Sequence, residues 1–149
     1  MGILSRVFGG PDAAAPPLEI TDAQRAEIEK LLQDLGNEYD IEGRIKASEE
    51  LALLESFGSF DVTSGLASAA RKAAMQWEVK RGTMAMMHGV RPEQIHVQPH
   101  ADDSRVAVAA AHALRKLAKR KDGVGKSSKA ALEDLRASIK NAELRIRLL

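Results

Sequence analysis

Residues 64–88 read SGLASAARKAAMQWEVKRGTMAMMH, and this stretch decides the fold class. Apolar side chains recur in it every three or four residues, which is the period of an α-helix with one buried face. Lys80 is the one interruption, and Gly82 lies inside the stretch, where it would mark a kink or a close contact. Gly89 and then Pro92 are typical of a helix C-terminus. The apolar positions are Leu66, Ala70, Ala73, Trp77, Met84 and Met87. We therefore predict one long helix over 64–88 whose methionines Met84 and Met87 fill the core.

Shorter helices are predicted before this one. Thr21 begins the first with a capping box, and Gly36–Asn37 would end it in the left-handed conformation. Helicity resumes near Glu38, where the apolar stripe changes direction. We favour a break at Ser48, a good N-cap, over a segment that is buried on two sides. Strand patterns are almost absent. The prediction is an all-α fold, an irregular bundle of five or six helices with an extended N-terminal arm and a heptad-patterned C-terminal helix.

Two helices are predicted after the long one. Asp103 or Ser104 is expected to begin the first, and residues 122–125 to break the chain before a last helix capped by Ser127 or Ser128. The apolar residues of the last helix have 3-4-3-4-3 spacing, which is typical of a coiled-coil seam. We predict that this seam mediates self-association. Its residues are Leu132, Leu135, Ile139, Ala142, Ile146 and Leu149.

Charge is distributed unevenly, although the net charge is only +1. Residues 1–61 contain 5 basic and 13 acidic side chains, a balance of −8, and residues 62–149 contain 17 and 8, a balance of +9. We divide the chain into a flexible arm and linker (1–20) and one helical domain (21–149), acidic over 21–61 and basic over 62–149. This asymmetry indicates a polyanion partner, head-to-tail self-association, or one half packed on the other.

Composition limits the compartment and the core. Aromatic residues make up 3% of the chain, so the core is expected to consist of aliphatic residues, Met and Ala. The chain has no cysteine, which excludes disulfides and thiolate metal sites. No stretch approaches the length of a membrane-spanning helix, and the N-terminal segment, interrupted by Arg6, does not fit a signal peptide. We expect a cytoplasmic protein, or one assembled there into a particle.

The N-terminal arm carries an amphipathic segment. Ile3, Leu4, Val7 and Phe8 fall within about 140° of arc on a helix. Two turns do not hold a helix alone in water, so this segment would have to become ordered against something. We favour docking into a groove on a partner or a neighbouring copy. The alternatives are a membrane-surface helix formed by residues 2–9 and a disordered terminus.

A basic region suggests polyanion binding as an alternative function. Its side chains would contact a phosphate backbone, and two of them flank a helix N-terminus, where free amides favour phosphate. Aromatic residues for base stacking are missing, which disfavours single-strand recognition. The other interpretation is a solvated face or a mate for the acidic half. The basic residues are Arg105, Arg115, Lys116, Lys119, Arg120, Lys121, Lys126 and Lys129.

The sequence contains no complete catalytic or cofactor-binding motif. Gly123–Ser127 resembles the end of a phosphate-binding loop, but Arg120 stands where the first glycine belongs and a helix precedes it instead of a strand. A metal site is left open, because histidines and aspartates gather in one loop, although Pro99 between the histidines disfavours a shared helix face. Its candidate ligands are His96, His100, Asp102 and Asp103.

The leading hypothesis is a non-enzymatic structural, assembly or adaptor protein of a multi-subunit complex, for example a component of a phage or other virion. It would act through helix–helix and arm contacts, with a protein partner or further copies of itself. We infer no cofactor, no catalytic residue and no small-molecule substrate. Nucleic-acid binding through residues 105–129 and peripheral membrane attachment through residues 2–9 are the alternatives.

Overall fold

The computed structural model describes residues 19–95 and 102–139, and of residues 102 and 103 only the backbone. Within these ranges the chain forms helices and no strand, which confirms the all-α prediction. The helices are α1 (Asp22–Gly36), α2 (Ile41–Leu51), α3 (Val62–His88), α4 (Asp102–Leu117) and α5 (Gly123–Ser138), with one 3-10 turn at Pro92–Gln94. The arm residues Ile3, Leu4, Val7 and Phe8 lie outside the described residues, as do His96, His100, Ala142, Ile146 and Leu149.

Helix α3 is the centre of the bundle. It packs most extensively on α4 and also contacts α1, α5 and the 3-10 turn. Both α3 and α4 contribute many alanines to one core cluster, and such small side chains let helix axes approach closely. The alanines of this cluster are Ala67, Ala69, Ala70, Ala73 and Ala74 in α3 and Ala107, Ala110, Ala111 and Ala113 in α4. The core is therefore mainly aliphatic, as the low aromatic content predicts.

Side-chain caps explain where several helices begin. The capping box at Thr21 is confirmed, since its hydroxyl accepts from the Gln24 amide at 3.1 Å and the Gln24 side chain accepts from the Thr21 amide at 2.8 Å. Asp40 and Asp61 cap α2 and α3 through their carboxylates. Gly89, with φ of 64°, ends α3 in the left-handed conformation as predicted. These short-range bonds satisfy amides that have no partner within the helix.

Several helix boundaries differ from the prediction. α1 includes Gly36, and the residue after the helix, Asn37, is extended instead of left-handed. α2 runs unbroken through Ser48, which is buried and donates to the Arg44 carbonyl, so the segment is one helix packed between α1 and α4. α4 begins at Asp102. α5 begins at Gly123 with Asp122 as its N-cap, while the two serines proposed as caps lie inside the helix.

Arg44 is an unexpected component of the core. Its side chain is 2% exposed and its Nε donates to the carbonyl oxygen of Leu35 at 3.1 Å, near the end of α1. The last carbonyls of a helix have no partner within the helix, and a cation there also complements the helix dipole. Arg44 therefore connects α2 to the C-terminus of α1.

Candidate functional surfaces

Large apolar side chains are exposed along the second half of α3. Met75, Val79 and Met86 are 61%, 67% and 84% exposed. The first half of α3 is covered by neighbouring helices, whereas Ala85 is the one buried residue of α3 after Trp77. Helix α3 thus extends past the core and presents apolar side chains on its surface.

The exposed residues form a narrow stripe. Together with Gly82 they occupy positions 75, 79, 82 and 86, which fall within about 60° of arc on a helix. A Cβ at Gly82 would meet nothing within 4 Å, so the stripe has a gap at this position. Such a narrow seam is typical of a helix that packs on another helix. We call Met75, Val79, Gly82 and Met86 the α3 stripe.

Polar residues beside the α3 stripe are held by contacts within the chain. The Arg81 guanidinium lies 5.4 Å from the centroid of the Trp77 ring, and its Nε donates to the Ile95 carbonyl at 3.2 Å. The Lys72 ammonium lies 3.0 Å from a carboxylate oxygen of Glu38, and it lowers the pKa of that carboxyl by hydrogen bonding to it. Both cations are therefore engaged by partners within the chain.

The prediction that Met84 and Met87 fill the core is wrong. They are 47% and 78% exposed. The spacing from Trp77 continues toward them in the sequence, but Ala85 is the residue that turns inward in this part of α3. Spacing alone therefore does not decide which apolar side chain is buried in this part of α3.

A second surface is an open groove between α2, α4 and α5. It has a volume of about 650 Å³. The turn after α2 contributes Leu53, and α5 contributes Leu132. Small residues of α4 form much of the apolar lining, and a groove of this kind receives apolar side chains of a partner. The apolar lining residues are Ala52, Leu53, Ala109, Ala113, Ala118 and Leu132.

Basic side chains line the groove. His112, Arg115 and Lys116 lie on α4 and Lys119 in the turn after it, whereas Glu49 is the acidic residue in the lining. Arg115, Lys116 and Lys119 are exposed, and within the described residues they form no ion pair. The groove therefore combines apolar side chains with an excess of basic ones.

Two of the eight basic residues predicted to bind polyanions form contacts within the chain. Arg105 is paired with Glu42, whose carboxylate lies 2.8 Å from the guanidinium. Arg120 is engaged with the loop after α2, as described next. The exposed remainder divides into a group that lines the groove and a group at the start of α5 and just before it. The first group is Arg115, Lys116 and Lys119, and the second is Lys121, Lys126 and Lys129.

Arg120 holds the turn between α4 and α5 against the loop after α2. Its guanidinium donates to the carbonyl of Leu54 at 3.1 Å and to that of Glu55 at 2.6 Å, and it lies 5.4 Å from the ring centroid of Phe57. It also donates to Asp122 at 2.8 Å, and this bond lowers the pKa of the Asp122 carboxyl. Arg120 is thus committed to the fold.

A glycine is needed at position 125, in the same turn, for a steric reason. A Cβ at this position would overlap the carbonyl oxygen of Arg120. The Gly125 amide donates to the Asp122 carboxylate at 3.2 Å as part of the N-cap of α5. Of the two glycines that resemble a phosphate-binding loop, Gly125 is therefore explained by close packing at a helix start, whereas a Cβ at Gly123 would meet nothing within 4 Å.

The predicted C-terminal seam needs correction. α5 ends at Ser138, and Ile139 is in an extended conformation. Leu135 and Ile139 are 2% and 4% exposed and belong to the core of the chain itself, so they offer no free surface to another copy. Leu132 is half-buried and lines the groove. The regular spacing therefore reflects intramolecular packing over the part of the seam that the structure describes.

The candidate metal site lies largely outside the described side chains. Among residues 19–95 and 104–139, no three metal-binding side chains come together, and His88 is exposed at the end of α3. The side chains of Asp102 and Asp103 are not described, so the proposed metal ligands stay untested. None of the described helices is both long and apolar enough to cross a bilayer.

Comparison with protein-family models, with curated proteins and with solved structures gives no match for this chain. Function is therefore inferred from its own surfaces.

Proposed function

We propose that this protein is a non-enzymatic assembly or adaptor protein that self-associates through the α3 stripe. The observation that supports this proposal is the row of exposed apolar side chains at Met75, Val79 and Met86. A soluble domain gains free energy by covering such a row, and its narrow width suits a helix as the covering element. A virion or another multi-copy complex, assembled in the cytoplasm, is the setting that we propose.

The proposed pairing is an antiparallel contact between α3 helices of two copies. The positions 75, 79, 82 and 86 are symmetric about their midpoint, so a reversed copy of the stripe matches the original. Met75 then packs on Met86 of the second copy, and Val79 fills the gap at Gly82 of the second copy. A two-fold axis generates each of these contacts twice.

Charges beside the stripe are compatible with this register. Glu78 lies opposite Ala85 of the second copy and does not face another carboxylate. Gln76 and Thr83, on the other side of the stripe, are uncharged. The opposing flanks therefore bring no like charges together. Contact between like charges would cost several kcal/mol.

The expected affinity is modest. The stripe extends over roughly 16 Å of helix at about 1.5 Å per residue. A stable interface of standard size buries about 800 Å² per partner, which is more than one short seam supplies. We therefore expect a reversible dimer at elevated concentration, with the N-terminal arm (Ile3, Leu4, Val7, Phe8) as a proposed additional contact.

Sedimentation of matched methionine variants tests this proposal. Met86 belongs to the stripe, whereas Met84 lies on the opposite side of the same helix, about 160° away at ~100° per residue. We expect the wild-type chain and Met84→Glu to dimerise as concentration rises, and Met86→Glu to stay monomeric. Circular dichroism of both variants checks that α3 stays folded. A wild-type chain that is monomeric at every concentration, or equal loss in both variants, would overturn the proposal.

A further inference from the structure

We propose that the groove between α2, α4 and α5 binds an acidic amphipathic helix of another protein. This inference does not rest on self-association, because the groove and the α3 stripe share no residue. It would make the protein an adaptor with two separate contacts, one for its own copies and one for a different chain.

The apolar lining determines what enters the groove. Leu53 is 67% exposed on one wall, and Leu132 is half-buried on the other. Ala109 and Ala113 lie between them on α4, where their short side chains leave space. A volume of about 650 Å³ fits several aliphatic side chains from one face of a helix, with the rest of that helix lying outside. Helix-in-groove recognition uses such anchors at intervals of three and four residues.

The rim determines the charge of the partner. Arg115, Lys116 and Lys119 line the groove without an ion pair among the described residues, and His112 adds a further positive charge when it is protonated. Glu49 is their single acidic counterpart in the lining. Complementary potential steers association and excludes partners of the same sign, so the flanks of the bound helix are expected to carry Asp or Glu.

Three segments of this chain lack the combination of an apolar face with acidic flanks. The acidic helix α1 turns its apolar residues Ile28, Leu31 and Leu35 into the core, so its free face is polar. In residues 1–9 the one charged side chain is Arg6, and residues 140–149 contain three basic side chains and one acidic one. An apolar face with acidic flanks therefore has to come from a different protein.

Nucleic acid fits the groove less well. Phosphate contacts use cations and amides, and they give no role to exposed leucine walls. The cations nearest the start of α5, including Lys126 and Lys129, are not in the groove lining. A duplex bound to this protein would be expected to use those cations as much as Lys116. This difference separates the two partners experimentally.

The probe is a fluorescein-labelled peptide of about 16 residues, with Leu on one helical face and Glu on the flanks, long enough to fold on binding. A peptide of the same composition with its Leu residues scattered around the helix is the matched control. Fluorescence anisotropy measures the binding of both to the full chain. We expect the amphipathic peptide to bind at least about tenfold more tightly than the scattered one, a difference near 1.4 kcal/mol.

Three substitutions to Glu test where on the protein the peptide binds. Leu53→Glu and Lys116→Glu are expected to weaken binding of the amphipathic peptide by about tenfold or more. Lys126→Glu, the same charge reversal outside the groove, is expected to change it less than about threefold, as for a screened surface charge. Circular dichroism confirms that each variant is folded.

Three results would overturn the inference. Equal binding of the two peptides would show that the apolar lining is not used. Equal effects of Lys116→Glu and Lys126→Glu would show general attraction of anions. Displacement of the peptide by a DNA duplex whose own binding depends on both lysines would indicate a polyanion site. Because Met86→Glu removes only the α3 stripe, its peptide binding should match that of the wild-type chain, which keeps this test separate from the self-association test.

Discussion

Arg120 illustrates how a single residue changes its meaning between sequence and structure. It stands in a basic run next to Lys119 and Lys121, and in the sequence nothing distinguishes it from them. Besides the Asp122 carboxylate, its hydrogen-bond acceptors are two backbone carbonyls 65 and 66 residues away, which no local pattern reveals. Arg44 is similar, since its acceptor is also a carbonyl. Structural arginines that bind backbone oxygen are therefore missed by sequence patterns, whereas carboxylate and hydroxyl caps a few residues from their amides can be found.

Replacing Arg120 should destabilise the fold. Arg120→Ala leaves the carbonyls of Leu54 and Glu55 without their donor and removes the guanidinium from the Phe57 ring. We expect the free energy of unfolding to fall by about 2 kcal/mol, typical of hydrogen bonds to a charged group. Urea denaturation measures this change, with the exposed neighbour Lys121→Ala as control. Equal, small effects of both substitutions would contradict the structural role.

At the scale of elements, the apolar period predicts which segments are helical but not which face stays exposed. Val106, Ala110, Ala113 and Leu117 are buried in α4, as the spacing predicts. In α3 the same spacing places Met84 inward, but Met84 is 47% exposed while the next residue, Ala85, is 1% exposed. Which of two adjacent side chains is buried depends on what packs against the helix, and this information is not present in the periodicity of α3 itself.

The residues at which helices begin are also only partly predictable from local sequence. Asp122, Ser127 and Ser128 are all good N-caps by residue type, and local sequence does not rank them. The hydrogen bonds from Arg120 hold Asp122 at the turn, so that its carboxylate accepts from the Gly125 amide. Ser128 instead lies buried, with its hydroxyl 3.3 Å from that of Thr63 on α3. Tertiary contacts therefore select the cap.

The junction of α1 and α2 should depend on Arg44. Arg44→Ala removes a large buried side chain and leaves the Leu35 carbonyl without this donor. We expect a loss of about 3 kcal/mol in the free energy of unfolding, from the cavity and the unsatisfied acceptor together. Lys46→Ala, an exposed position on the same helix, is the control for chemical denaturation. A loss below about 1 kcal/mol in Arg44→Ala would contradict this assignment, because a surface substitution costs as little.

At the scale of the whole molecule, ion pairs connect the two halves of opposite charge. Among the described residues, two such pairs run from the acidic half to the basic half, one from Glu38 to Lys72 and one from Glu42 to Arg105. Within the same ranges, Arg115, Lys116 and Lys119 of the groove form no ion pair. The molecule therefore presents two distinct surfaces, an uncharged stripe on α3 and a positive groove between α2, α4 and α5. The sequence predicts charge asymmetry and a self-association seam at the C-terminal helix, but Leu135 and Ile139 of that seam are buried in the core of the chain itself.

Cysteine cross-linking tests the antiparallel α3 contact most directly, because the chain contains no cysteine of its own. A disulfide requires Cα atoms within about 7 Å, so in the proposed register position 75 of one copy can pair with position 86 of another but not with position 75. Under mild oxidation, a mixture of Met75→Cys and Met86→Cys chains should form cross-linked heterodimers much faster than either variant cross-links alone. Met84→Cys mixed with Met75→Cys controls for random collision. Cross-linking of the first mixture no faster than that of the single variants, or than that of the Met84→Cys control, would contradict the proposed assembly.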